Sequence, residues 1–265
     1  MIAIGIQYNA KLQKLARQAK RDVDQTITPL VRSYAPEYTA DAWSDGIQFA
    51  IDSLLSRWGS ERVRMIAARM AGEFVQVSLS RAERGMKRSA GIDVFSGSQQ
   101  MQDYLKAATQ QNANLILSIP NQYIERVGTT VLANMRSGMR PGFIEKALQD
   151  EFGVTQNRAR MIARDQTAKV QGEIAEKQQT GAGFSFFKWQ DSSDERVRHR
   201  HEEIANKVTA YGPGVYSWSN LPLSDKGLPI KPGSDYQCRC TAIPVSDREV
   251  EAYRKKGKTA PGVYR

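Results

Sequence analysis

Apolar residues recur at helical spacing through roughly the first 180 positions, and then the pattern stops. After Gly183 comes a short aromatic run, Phe184-Ser185-Phe186-Phe187-Lys188-Trp189, which predicts a strand. Prolines and glycines crowd residues 212–233, which predicts irregular loops. Residues 238–245 predict a closing strand. A chain patterned this way predicts a mainly α protein with a small C-terminal α+β module and an extended helical N-terminal region.

Within the helical part, residues 10–34 predict a first helix that Pro29 bends or breaks. Pro36 falls in a connector. Thr39-Ala40-Asp41-Ala42 opens a second helix, with Trp43, Ile47, Ile51, Leu54 and Leu55 at helical spacing. A third runs from Ser60-Glu61 to near Gly85, with Ile66, Met70, Phe74 and Val77 in its stripe. Such a stripe predicts either core or a surface for a partner, another copy of the chain among the candidates. Residues 91–100 predict a loop or hinge, and residues 102–113 a helix. Ser118-Ile119-Pro120-Asn121 looks like a fresh helix start, with proline in the first turn. That helix reaches Arg136, before Gly138. Arg140-Pro141-Gly142 opens a short helix ending at Gly153, and Thr155 caps the next, which runs to Gly181. The expected division is 1–114 as a helical partner or oligomer region, 115–183 as a second helical part, 184–247 as the α+β module and 248–265 as a basic tail.

The 265 residues carry a net charge of +10. The excess is even: +4, +2 and +4 over residues 1–100, 101–185 and 186–265. That fits an anionic environment such as packed nucleic acid, or simply a basic solvated surface, rather than one base-reading patch. Arg254, Lys255, Lys256 and Lys258 form the one dense run and suggest a flexible basic tail able to touch phosphates. No apolar run nears the ~20 residues that span a bilayer. A soluble protein of the cytoplasm, or of a particle assembled there, is expected.

The scarce side chains cluster late. His199 and His201 are the only histidines, and Cys238 and Cys240 the only cysteines. Cysteines one residue apart bridge each other poorly, so reduced thiols or metal ligands are expected. On strands, His199 and His201 share a face, as do Cys238 and Cys240, and the four would suit zinc. On a helix the two histidines diverge by about 200° and cannot both bind, and the smaller alternative is a site of His201 with one or both cysteines and Asp194 as a further candidate ligand. The alternative is a set of structural pins. Trp189 would anchor the core, and Asp194, Arg196 and Arg198 would form a local ion-pair network. His201 would then bond a backbone carbonyl, with the cysteines packed as small apolar groups. A metal-dependent nuclease or other phosphate-cleaving enzyme is a rival reading. It lacks a second acidic cluster with metal spacing, a Ser-His-Asp order and a Gly-rich phosphate loop, so no catalytic residue is assigned. A non-specific DNA-binding protein is a further alternative.

The order of these features matters more than any one of them. Ala163-Arg164-Asp165-Gln166-Thr167 on a helix precedes an aromatic strand ending in Lys188-Trp189. Asp194-x-Arg196-x-Arg198-x-x-His201 follows, then a Gly/Pro loop with Pro232-Gly233, and Cys238-Arg239-Cys240 closes the series. Over residues 115–245 this resembles the phage Mu F-like minor head protein family, also called phage head morphogenesis proteins. The chain departs from the family pattern at Asp165-Gln166-Thr167, where a Thr-Glu pair is usual, and in having His199 as an extra histidine. The resemblance implies a minor capsid protein of the virion, made in the host cytoplasm and placed in the phage head interior or at the portal vertex. Its implied partners are the portal and capsid proteins, with packaged double-stranded DNA as a further contact, and its implied roles are head assembly, DNA packaging and DNA ejection.

Overall fold

The computed structural model describes residues 2–33, 42–93 and 97–259. The side chains of Trp43 and Lys258, and the connector at Pro36, lie outside the described residues. The described elements run α1 (Ile2–Ser33), α2 (Ala42–Trp58), α3 (Glu61–Ala90), α4 (Gln99–Arg136), α5 (Pro141–Gly181), β1 (Phe186–Gln190), α6 (His199–Asn206), β2 (Val208–Thr209), β3 (Gly212–Pro213), β4 (Val215–Ser217), β5 (Thr241–Val245) and α7 (Asp247–Thr259). The chain is mainly helical with a small C-terminal region of antiparallel strands, as expected from its patterning. Among the described residues no helix is long and apolar enough to cross a membrane.

Two compact units divide the chain. One takes Ile2–Phe74 with Ala107–Arg164, and the other Val75–Lys106 with Asp165–Arg265. The first, a helical unit, is held by side chains that recur every three or four residues. Ala19, Val23, Ile27 and Val31 of α1 pack with Ile47, Ile51, Leu54 and Trp58 of α2, with Tyr123, Val127, Val131 and Met135 of α4, and with Ile144 and Leu148 of α5. Polar groups inside it are matched. The Trp58 indole donates to Asp22 at 3.1 Å, and Tyr8 donates to Asn112 at 3.0 Å while stacking on Phe74 at 4.1 Å. Of the stripe expected on α3, Phe74 is buried, whereas Ile66 is exposed.

Several expected helix boundaries are absent. Pro29 lies inside α1, and Pro120 lies inside α4 rather than at a helix start. Ile116 and Ile119 before Pro120, and Tyr123 and Ile124 after it, are all buried on one continuous face. Packing of that face outweighs the roughly 3 kcal/mol that an interior proline costs. The break expected at Gly153 and the cap expected at Thr155 are also absent, because α5 runs unbroken through both. The Thr155 hydroxyl donates to the Glu151 carbonyl at 2.9 Å and accepts from Arg126 at 2.7 Å. Threonine is here a buried hydrogen-bonding hub, not a helix cap.

In the second unit β1 is the central strand of a sheet ordered β4-β1-β5, antiparallel on both sides. Its alternation buries Phe187 and Trp189 and exposes Lys188 and Gln190. Phe187 and Trp189 pack with Ile204, Tyr216, Ile230, Cys238 and Cys240. The basic run at residues 254–258 is not a flexible tail but part of helix α7. A capping box starts that helix: the Ser246 N–H donates to the Glu249 carboxylate at 2.8 Å, and the Glu249 N–H donates to the Ser246 hydroxyl at 3.3 Å.

Candidate functional site

Residues 199–206 form helix α6, and this alone separates the two histidines. Two positions along a helix are about 200° around it. His201 therefore points inward and is buried, while the His199 side chain is 85% exposed and sits 3.3 Å from Glu203. The four-residue set with His199 as a ligand is excluded by this geometry. His201, Cys238 and Cys240 come together instead: one ligand atom from each lies within 4.8 Å of the others, and all three residues are buried.

The cysteines arrive from the segment just before β5. There the chain turns through Ser234-Asp235-Tyr236-Gln237, with Gln237 at φ 50°, and Cys238 donates its N–H to the Asp235 carbonyl at 3.1 Å. The extended backbone that follows sends Cys238 and Cys240 to one side and Arg239 to the other. The two sulfurs lie 3.7 and 3.5 Å from His201 Nδ1. The Cys240 N–H also donates to the Cys238 sulfur at 3.4 Å.

The other imidazole nitrogen faces a carboxylate. His201 Nε2 is 3.2 Å from Asp235 Oδ2, which also accepts from Arg198 at 2.9 Å. His201 was expected on a backbone carbonyl; it engages Asp235 and the thiols instead. Trp189 stands edge-on to the imidazole, with ring centroids 5.5 Å apart. Trp189, 1% exposed, is part of this unit's core.

The expected ion-pair network is organised differently. Asp194 accepts both arms of the Arg239 guanidinium, and Arg198 pairs with Asp235. Arg196 offers its backbone N–H to Asp194 at 3.0 Å, and its side chain is exposed. Each carboxylate is thus matched by an arginine from the other side of the site. The pairs tie the loop before α6 to the segment before β5, rather than bracing the loop on itself.

Electrostatics follow from these contacts. The hydrogen bonds from Arg239 hold the Asp194 carboxyl down to about 2. The Cys238 thiol is lowered, first by its hydrogen bond with Cys240 and further by His201. Cys240 is raised, first by that same bond and then by burial. His201 is raised by its hydrogen bond to Cys238, against the effect of burial, with Asp235 adding to the rise.

Three further contacts support the site. Asp165 on α5 accepts the Gln237 N–H at 3.1 Å, bracing the left-handed turn residue, and pairs with Lys169 at 2.8 Å. Lys231 is half-buried and pairs with Glu173 at 2.6 Å and with Glu176. Gly172 on α5 meets the turn so closely that a Cβ would lie 2.3 Å from the Pro232 carbonyl oxygen. The i, i+3 spacing of Glu173 and Glu176 is the one cue that foreshadows the Lys231 contact. In the basic run, Arg254 donates to the Ala210 carbonyl at 3.3 Å and lies over the Tyr211 ring, with Lys255 and Lys256 exposed.

Residues 125–243 match the model of a family described as Phage Mu protein F like protein. An uncharacterized protein of Haemophilus influenzae is 30% identical over 165 residues, which is 61% of this chain and 34% of the relative. The chain spans about a third of the length of that curated relative. No solved structure matches the chain. The family match covers β1, α6, the Asp194–Arg239 clamp and the whole His201, Cys238 and Cys240 group, so over residues 125–243 the chain is similar to the Phage Mu F-like family.

Proposed function

We propose that this chain is a minor head protein of a tailed phage, acting in head morphogenesis at the portal vertex and in contact with packaged DNA. The observation that carries the reading is the family match over residues 125–243, which takes in the site whole. It is a structural and assembly role rather than a catalytic one. Its partners are other head components, the portal among them, and its place is the virion. The net charge of +10 supports a position beside packaged nucleic acid through non-specific phosphate contact.

Cross-linking mass spectrometry on intact particles and on proheads tests this directly. The expected result is the chain in low copy, with cross-links to the portal. Its absence from both particles would end the reading. Its presence with cross-links only to the major capsid lattice would remove the portal part.

A further inference from the structure

Three observations converge on the buried His/Cys group. The first is donor type. One imidazole nitrogen and two sulfurs form a nitrogen–sulfur set, which suits zinc and does not suit magnesium or calcium. The second is spacing. With zinc–sulfur bonds near 2.3 Å and zinc–nitrogen bonds near 2.0–2.1 Å, a tetrahedral site separates nitrogen from each sulfur by about 3.6 Å. The two measured separations are 3.7 and 3.5 Å.

The third is the support behind the histidine. With Asp235 accepting the Nε2 proton, the Nδ1 lone pair faces the two sulfurs. A carboxylate on the far nitrogen of a ligating histidine is the usual way such a ligand is oriented and made more basic. Arg198 in turn holds the carboxylate. Thiols packed only as small apolar groups would need neither a shared imidazole lone pair nor a carboxylate behind it.

We infer that His201 Nδ1, Cys238 Sγ and Cys240 Sγ bind one zinc ion, which pins α6 to the segment leading into β5. The ion replaces part of the aliphatic core that this loop-rich module lacks. Burial of all three ligands makes it a structural pin. Three protein ligands leave one position of a tetrahedral ion to be filled.

The test uses the full chain, purified reduced and without a histidine tag. After zinc is supplied and excess removed by gel filtration, elemental analysis is expected to find about one zinc per chain. Cobalt added to metal-free protein is expected to produce sulfur-to-cobalt charge-transfer absorption and the visible bands of tetrahedral cobalt. Cys238→Ser and Cys240→Ser each diminish the charge-transfer band, and His199→Ala leaves it unchanged. Asp235→Asn keeps the cobalt spectrum but weakens affinity roughly 10- to 100-fold. Wild-type protein that stays metal-free and shows no cobalt spectrum overturns the site, whether or not the variants fold. A His199→Ala variant that loses the metal while staying folded overturns the ligand assignment.

Discussion

Asp194 and Arg239 belong to segments far apart in sequence, yet the guanidinium closes on both carboxylate oxygens. Arg239 can do this because its two neighbours point the opposite way, toward His201. The Cys-Arg-Cys spacing thus serves two purposes on one short extended segment. The folded carboxyl titrates near 2, below its ordinary range. The clamp's contribution is therefore fully present above that ordinary range and is lost as pH falls through about 2. In a carbon NMR titration Asp194 is expected to titrate near 2 in the wild type, and in the ordinary carboxylate range in Arg239→Met. A wild-type Asp194 already in the ordinary range would show that the clamp is open in solution. At this scale the sequence was legible in residue type but not in pairing. Scarcity marked His201, Cys238 and Cys240. Nothing in a linear pattern marks Asp235 as the partner of His201, or Arg239 as the partner of Asp194, because each pair spans more than 30 positions.

At the scale of elements, α5 is where reading and structure diverge most, and glycines test both. Gly153 looked like a terminator, but it lies inside an unbroken helix with open space where a Cβ would go. Gly153→Ala is therefore expected to stabilise the chain by about 0.5–1 kcal/mol, through the lower entropy of the unfolded chain and better helix propensity. A loss of stability would restore the expected break. Gly172 on the same helix gave no local cue, and there a Cβ would collide with backbone at Pro232. Gly172→Ala is expected to cost about 1–3 kcal/mol, read as a lower denaturant midpoint, because the turn cannot retreat without disturbing Gly233, itself in contact range of α5. The contrast explains why helices and strands were legible and their ends were not. Periodicity reports the buried face, whereas Pro120, Gly153 and Thr155 are tolerated or used according to what packs beside them. The helical form of residues 254–258 was legible in principle, since Ser246-Asp247-Arg248-Glu249 has capping-box spacing.

For the whole molecule the deciding quantity is charge. An excess of +10, spread with no dominant segment, gives a field able to hold the chain near phosphate without reading bases. The exposed Lys255 and Lys256 on α7 extend that field in an ordered helix, so a phosphate contact there would need no ordering of a loose tail. If about four phosphates are neutralised, affinity for duplex DNA should fall with a log–log salt slope near −3.6, which is roughly a hundredfold between 50 and 200 mM. Fluorescence anisotropy with duplexes of unrelated sequence is expected to show that slope and no sequence preference. Lys255→Gln with Lys256→Gln should make the slope shallower by about 2. Binding that barely changes with salt, or that separates one sequence from another, would mean that the contact is not the diffuse electrostatic one that the charge distribution supports. An unchanged slope in the double variant would move the phosphate contact away from α7.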